Sequence, residues 1–123
     1  MKTWTVALSA LLSALTLAFI PAGAMSPAHA QEDACGNDAL DVPDSGATFD
    51  FTEACLEHDE CYAAGGTEAD RNACDAAFLA DMQASCAEMW PDSFFKRRIC
   101  EGVAQTYHLG VHFFGWLFFP YTA

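Results

Sequence analysis

An uncharged, mostly apolar run over Val6–Ile20 is the first feature of the hydrophobic pattern along the chain. Lys2 precedes the run, and small residues follow it as far as the Ala-His-Ala sequence at positions 28–30. A basic start, an apolar core and a small-residue cleavage site are typical of a secretory signal peptide. The run is about 15 residues long, short of the roughly 20 that span a bilayer, which disfavours an uncleaved anchor. We predict cleavage after Ala30, with Ala24 as the competing site.

The rest of the chain, residues 31–123, is predicted to form a single domain. Glycine, proline and aspartate interrupt its beginning, which indicates a loop up to position 49. A first helix should start near Thr48–Thr52, with Asp50 or Thr52 as its cap. It should end at Gly65-Gly66, because glycine just past the last helical residue is a strong stop signal.

A second helix is predicted from about Glu68 to Glu88. Apolar side chains recur there at four-residue spacing on one face, as Phe78, Met82 and Cys86 show. The sequence contains neither the alternation of a β-rich chain nor an internal repeat. The predicted fold class is therefore all-α: a small, disulfide-stapled domain with two main antiparallel helices.

The C-terminal part begins with a helix-breaking cluster at positions 91–93. A third, shorter helix is expected around Cys100–His112. His108 and His112 have a metal-compatible spacing, but no third ligand accompanies them, so ordinary packing is the preferred interpretation. The aromatic run at 113–119 fits insertion into lipid as well as coverage of a small core, and the sequence favours neither.

The charge and the cysteine content of the chain limit which kinds of function it can have. The chain has 17 acidic and 5 basic residues, giving a formal net charge of −12. Such a negative net charge argues against nucleic acid as a partner, since its phosphates attract Lys and Arg side chains. A small exported domain buries a modest core and usually needs covalent staples. There is no C-x-x-C pair, so three disulfides are preferred over a zinc site. The cysteines are Cys35, Cys55, Cys61, Cys74, Cys86 and Cys100.

The first predicted helix carries the candidate chemistry. His58 shares one helix face with Cys55 and Cys61. If the two main helices are antiparallel, a Cys61–Cys74 bridge would bring Asp75 within reach of His58. A carboxylate on one imidazole nitrogen fixes the tautomer and supports a proton on the other nitrogen. On spacing alone, such a pair is more often a structural hydrogen bond than a catalytic dyad.

The cysteines and the aspartates bear on which group attacks the substrate and on metal binding. Every cysteine is assigned to a disulfide, so a His-activated water is the natural nucleophile. Asp59, next to the histidine, remains available to bind a hard cation. Asp38, Asp41 and Asp44 lack the spacing of an EF-hand, and we interpret them as local turn residues.

Two strings in the sequence resemble known motifs. Residues 54–62 read A-C-L-E-H-D-E-C-Y and resemble the A-C-x-x-H-D-x-C-Y motif of secreted phospholipases A2. Residues 71–82 resemble the R-x-x-C-D-x-x-F-x-x-D-M motif of the small prokaryotic and fungal branch of that family. Cys35-Gly36 resembles the start of the family's N-terminal calcium-binding loop. The resemblance extends from residue 33 to about residue 112.

The resemblance implies calcium-dependent hydrolysis of the sn-2 ester of glycerophospholipids. By position, His58 would be the general base, Asp75 its carboxylate partner and Asp59 the side-chain ligand for Ca²⁺. Tyr62 would donate a hydrogen bond to Asp75, although a core aromatic is an equally good interpretation.

The same matching extends to the calcium loop and the disulfides. The carbonyls of Ala34 and Gly36 would complete the calcium shell, the amide of Gly36 would assist the oxyanion, and Asp33 would be a further ligand. The glycine-rich loop of the animal enzymes is missing, which makes these loop ligands the weakest part of the match. The implied disulfides are Cys35–Cys55, Cys61–Cys74 and Cys86–Cys100.

The expected protein is a secreted monomer that works transiently at phospholipid aggregates or membrane surfaces. Its negative charge suggests zwitterionic or dispersed substrates over anionic membranes. The competing class is a non-catalytic, disulfide-rich binding or toxin-like protein on the same scaffold. Such proteins usually lose the histidine or the calcium aspartate, whereas His58, Asp59 and Asp75 are all present. A purely structural calcium-binding module would leave the His–Asp pair without a purpose.

Overall fold

Three helices form the domain in the computed structural model, which describes residues 34–37 and 40–122. They are α1 (Thr52–Ala64), α2 (Glu68–Met89) and α3 (Phe94–Phe114). A short 3₁₀ turn, Gly115–Leu117, follows α3. Helix α2 packs against both α1 and α3. Within the described part of the chain, β-structure is limited to isolated bridges, so the predicted all-α class is confirmed.

Several predictions concern residues that the structure does not describe. The signal peptide over residues 1–30, its cleavage sites and the proposed ligand Asp33 all lie outside the described residues. The domain boundary at residue 31 stays a prediction for the same reason. No helix in the described ranges combines the length and the apolar character needed to cross a membrane.

Helix α1 begins and ends close to its predicted limits. Its N-cap is Phe51, which offers no side-chain cap, so the prediction of Asp50 or Thr52 as the cap residue was wrong by one position. Asp50 still contributes, because its Oδ1 accepts a hydrogen bond of 3.1 Å from the Thr52 amide. The helix ends at the expected glycines, where Gly65 has φ 65° and Gly66 has φ 136°. Only glycine adopts such backbone angles readily, and they allow the chain to reverse into α2.

Helix α2 has the boundaries and the buried face that the sequence predicted. Thr67 and Asp70 form a reciprocal capping box at its start. Phe78, Met82 and Cys86 are all buried and belong to the core. The apolar spacing therefore marks the side of α2 that faces the rest of the domain.

Helix α3 is longer than predicted. It starts at Phe94, and the Ser93 hydroxyl accepts a hydrogen bond from the Lys96 amide as its N-cap. With 21 residues it is nearly as long as α2, which has 22. The expected start at Cys100 was wrong because most side chains from Phe94 to Ile99 are exposed and give no buried face to recognise.

The three disulfides implied by the resemblance are confirmed. Cys35 is bonded to Cys55, Cys61 to Cys74 and Cys86 to Cys100, and no cysteine of the described chain is free. The first bond ties the N-terminal loop to α1, the second ties α1 to α2, and the third ties α2 to α3. The alternative of a zinc site is excluded, since every candidate thiol is oxidised.

The C-terminal segment folds back onto the turn between α1 and α2. The Gly66 amide donates to the Pro120 carbonyl, and the Thr122 amide donates to the Gly66 carbonyl. Phe119 is buried against Tyr62, with the ring centroids 5.0 Å apart. The neighbouring apolar side chains are exposed, so the aromatic run serves the core at one position and remains on the surface at the others. These exposed residues are Phe113, Phe114, Trp116, Leu117 and Phe118.

Candidate active site

The His58 and Asp75 side chains meet where α1 packs against α2. His58 Nε2 and Asp75 Oδ1 are 2.8 Å apart, and both residues are buried. The Cys61–Cys74 bond joins the two helices beside this pair, as the sequence analysis required. The imidazole also stacks on Phe78, with ring centroids 4.4 Å apart. Covalent and aromatic contacts therefore hold the ring at a defined angle to the carboxylate.

This geometry sets the chemistry available to the histidine. Because Asp75 accepts a hydrogen bond from Nε2, the neutral ring carries its proton there and its lone pair on Nδ1. Nδ1 is thus the atom that can take a proton from a water molecule. The carboxylate then stabilises the positive charge of the imidazolium, which is the role of the acid in His–Asp pairs of hydrolases.

Asp75 accepts hydrogen bonds from two further side chains. The Tyr62 hydroxyl donates to Oδ1 at 2.6 Å, and the Arg71 guanidinium donates to Oδ2 at 3.2 Å. Burial alone would raise the pKa of Asp75, but hydrogen bonds from His58 and Tyr62 and the charge of Arg71 lower it below its usual value. Burial and the same carboxylate raise the pKa of Tyr62. Asp75 is therefore an ionised acceptor and Tyr62 a neutral donor, and Tyr62 combines this bond with its core packing.

Arg71 is a part of the site to which the sequence reasoning gave no role. It is only 5% exposed, and its guanidinium reaches the Glu68 carboxylate at 2.7 Å and the Val111 carbonyl at 3.1 Å. The Tyr121 hydroxyl also donates to Glu68, which links the C-terminal segment to the same network. The signal was present in the sequence, because Arg71 lies four residues before Asp75 on one helix face.

Gly115 closes the network on the side of α3. A Cβ at this position would collide with the Tyr62 hydroxyl and lie 3.2 Å from the Arg71 guanidinium. Glycine at the start of the 3₁₀ turn therefore lets the backbone approach the two side chains that bind Asp75. From the sequence alone, Gly115 is recognisable only as a boundary of the aromatic run.

Asp59 lies on the exposed side of α1, next to the dyad histidine in sequence. Partial desolvation and the negative charge of Asp44 raise its pKa, while His58 opposes the shift. Asp44 itself accepts hydrogen bonds from the amides of Ala34 and Cys35, at 3.2 and 2.7 Å. The interpretation of Asp44 as a local turn residue was wrong, since it holds the backbone nine and ten residues earlier.

The donors in this region suit a hard cation. Asp59 supplies a carboxylate, and Ala34 and Gly36 lie in the loop that Asp44 and the Cys35–Cys55 bond hold near α1. Carboxylate and carbonyl oxygens are the ligands that Ca²⁺ prefers. Across the described residues, no group of three or more His, Cys, Asp or Glu side chains forms a metal cluster. A cation here would therefore depend on backbone carbonyls.

Two other features lie apart from the dyad. His108 and His112 stack on each other with ring centroids 6.2 Å apart, and His112 also packs on Phe113, in keeping with ordinary packing. An open depression of about 620 Å³ lies along α2 and α3 and contains no residue of the dyad. Its lining residues are Gln83, Arg97, Arg98, Glu101, Gly102 and Gln105.

Comparison with known proteins gives one positive result. A family model described as prokaryotic phospholipase A2 matches residues 21–115 of the chain. No curated protein and no solved structure matches the chain. The matched range covers most of the chain and includes His58, Asp59 and Asp75 together with all six cysteines.

Proposed function

The chain belongs to the prokaryotic phospholipase A2 family, and we propose that it is a secreted, calcium-dependent phospholipase A2. Its reaction would be hydrolysis of the sn-2 ester of glycerophospholipids to a lysophospholipid and a free fatty acid. The observation that carries the proposal is the buried hydrogen bond between His58 and Asp75, 2.8 Å long, within a family of ester hydrolases.

In the proposed reaction, His58 Nδ1 removes a proton from a water molecule as the water oxygen bonds to the ester carbonyl carbon. Asp75 holds the ring and stabilises its charge, and Tyr62 and Arg71 hold Asp75. The ester C–O bond then breaks, and the proton on Nδ1 passes to the departing sn-2 oxygen of the lysophospholipid. The water thereby supplies the second oxygen of the fatty acid.

Calcium would be held by the Asp59 carboxylate and the carbonyls of Ala34 and Gly36, with Asp33 as a further candidate. When bound, the cation supplies positive charge that stabilises the oxyanion of the tetrahedral intermediate. The Gly36 amide is the proposed second donor to that oxyanion. The hydrogen bonds from the Ala34 and Cys35 amides to Asp44 support this assignment, because they fix the backbone on which these donors lie.

Export belongs to the proposal as well. Three disulfides support it, since such bonds persist in oxidising compartments. The segment over residues 1–30 would be the signal peptide. The alternative of a non-catalytic binding protein is weaker, because His58 and Asp75 retain their contact and Asp59 is also present.

The test is release of fatty acid from mixed phospholipid micelles, measured with calcium and then with a chelator. We expect turnover with calcium only, and its loss in His58→Gln without a large fall in melting temperature. His108→Gln is the matched control, because it changes a histidine outside the dyad. An active His58→Gln variant would contradict the water-activation mechanism.

Calcium binding is tested separately by isothermal titration. Asp59→Asn should lose calcium binding and turnover together, because a hard cation needs the carboxylate oxygen. Glu60→Gln is the control, since it neutralises the adjacent exposed carboxylate. If Asp59→Asn binds calcium as the wild type does, the cation site lies elsewhere.

A further inference from the structure

The loop that precedes α1 is held in place by side chains of α2 and α3. Three of these side chains each donate a hydrogen bond to a different backbone carbonyl of the loop. The pairs are Tyr107 with Pro43 at 2.5 Å, Trp90 with Thr48 at 2.9 Å and Ser85 with Asp50 at 2.6 Å. Because a loop has no regular backbone pairing of its own, such bonds decide which conformation it adopts.

Tyr107 is the donor that comes from α3, and its ring is fixed by aromatic neighbours. The rings of Phe49 and Phe51 contact it edge-on, with centroids 5.8 and 5.5 Å away, and Phe51 is fully buried. Burial and the negative charge of Asp44 raise the pKa of Tyr107. The phenol is therefore neutral at physiological pH and stays a hydrogen-bond donor.

The carbonyl that Tyr107 binds belongs to the peptide group between Pro43 and Asp44. Because a peptide group is planar, a bond to its oxygen also orients the amide nitrogen of Asp44. The Asp44 carboxylate in turn accepts hydrogen bonds from the amides of Ala34 and Cys35. A continuous chain of contacts thus leads from α3 to the backbone at positions 34 and 35.

We propose that Tyr107 is a positioning residue for the calcium site. Its hydroxyl orients Asp44, and Asp44 orients the backbone that carries the carbonyls of Ala34 and Gly36. The identity of the cation as calcium rests on the proposed function. A loop that is already ordered loses less conformational freedom when it binds a ligand. Loss of the Tyr107 hydroxyl should therefore weaken calcium binding without removing any ligand.

The other two bonds to the loop act at a different place. The carbonyls of Thr48 and Asp50 lie four and six residues after Asp44 (48 − 44 and 50 − 44), next to the start of α1. They hold the part of the loop that leads into the helix. Ser85→Ala removes one of these bonds and nothing larger than a hydroxyl. It is therefore the matched control for Tyr107→Phe, which also removes one hydroxyl that donates to a loop carbonyl.

The first measurement is hydrogen exchange at the amides of Ala34 and Cys35, followed by NMR. It uses the protein as released by an expressing host, with a chelator present, so that no cation contributes to the protection. We expect both amides to be protected in the wild type. Tyr107→Phe should speed their exchange about fivefold, within the range that one hydrogen bond contributes, and Ser85→Ala should leave it unchanged.

The second measurement is isothermal titration with calcium. Tyr107→Phe should bind calcium about fivefold more weakly than the wild type, and Ser85→Ala should bind it equally well. Melting temperatures in chelator are recorded for both variants. A hydroxyl with a purely structural role would lower the melting temperature without changing the affinity of the folded protein.

A double variant tests whether Tyr107 acts through Asp44. If it does, Tyr107→Phe should reduce calcium affinity much less in the Asp44→Asn background than in the wild type. Additive losses would contradict this route. Unchanged affinity in Tyr107→Phe, or an equal loss in Ser85→Ala, would overturn the positioning role.

The two measurements separate this proposal from the proposed function. A wild type that binds no calcium, but whose Ala34 and Cys35 amides exchange faster in Tyr107→Phe, would contradict the calcium dependence and support the orientation of the loop by Tyr107. A wild type that binds calcium, with the same exchange rates in Tyr107→Phe, would overturn the positioning role and leave the proposed function standing.

Discussion

Arg71 donates to the one oxygen of Asp75 that His58 does not contact, at a distance of 3.2 Å. Asp75 thus binds two different groups: His58, which gains and loses a proton during the proposed reaction, and Arg71, which stays charged. The same guanidinium binds the carbonyl of Val111 in α3. One buried side chain therefore connects the chemistry at the interface of α1 and α2 to the third helix.

Arg71→Gln should lower both stability and turnover. The buried Oδ2 of Asp75 and the Val111 carbonyl would lose a charged donor, at a cost of about 1–3 kcal/mol in the free energy of unfolding. Urea unfolding and fatty-acid release measure the two effects. Arg97→Gln, on the exposed surface of α3, is the control and should change the unfolding free energy by less than about 0.5 kcal/mol. A fully stable Arg71→Gln would mean that water replaces the guanidinium without cost.

Glu68 should make the stability of the folded protein depend on pH in the acidic range. Hydrogen bonds from Arg71 and Tyr121 lower its pKa from 4.5 to about 2 in the folded protein. Because the folded pKa is below the unfolded one, this contribution is complete above pH 4.5 and is lost as the pH falls towards 2. Melting temperature against pH should therefore fall less steeply in Glu68→Gln than in the wild type. Glu88→Gln is the control, and a curve parallel to the wild type in both variants would contradict the effect.

Asp44→Asn should weaken calcium binding although Asp44 is not a proposed ligand. An amide replaces one of the two oxygens that accept from Ala34 and Cys35, so the loop loses a hydrogen bond and the cation loses a nearby negative charge. We expect about a tenfold loss of affinity, the equivalent of about 1.4 kcal/mol, in isothermal titration. Asp41→Asn makes the same charge change at an exposed loop position. Equal effects of both substitutions would reduce the role of Asp44 to general electrostatics.

Phe118 and Phe119 should respond differently to the same substitution. Phe119 is 5% exposed and packs on Tyr62, whereas Phe118 is 53% exposed. Truncating a buried phenylalanine costs about 3–5 kcal/mol, so Phe119→Ser should lower the melting temperature strongly and reduce turnover on every substrate. Phe118→Ser should leave the melting temperature nearly unchanged. Similar losses from both would show that the two rings share one environment.

The sequence was sufficient to predict the features that depend on neighbouring residues along the chain. The two glycines ended α1, the apolar spacing of α2 marked its buried face, and Cys61 and Cys74 placed Asp75 near His58. Such features depend on helical periodicity and on backbone angles that one residue type prefers. The complete set of disulfide pairs required the resemblance to a family as well.

The features that the sequence left undetermined depend on contacts between distant segments. Asp44 binds amides across the loop, and Gly115 has its effect by approaching Tyr62, 53 positions earlier (115 − 62). Arg71 was overlooked because a charged side chain on a helix is usually exposed, and it is buried here only because Glu68, Asp75 and the α3 backbone surround it. The start of α3 was missed because its first turns face solvent.

The order in which the cysteines pair has a consequence for biogenesis. Each described disulfide joins one cysteine to the next along the chain, with separations of 20, 13 and 14 residues. A chain that enters an oxidising compartment from its N-terminus can therefore form the three bonds one after another, each with the nearest available thiol. If the bonds form in that order, each cysteine is paired before the next two are exported, and we expect few wrong pairs for an isomerase to rearrange. In that order, the bond beside the His–Asp pair would form second, ahead of the bond that ties α3 to α2.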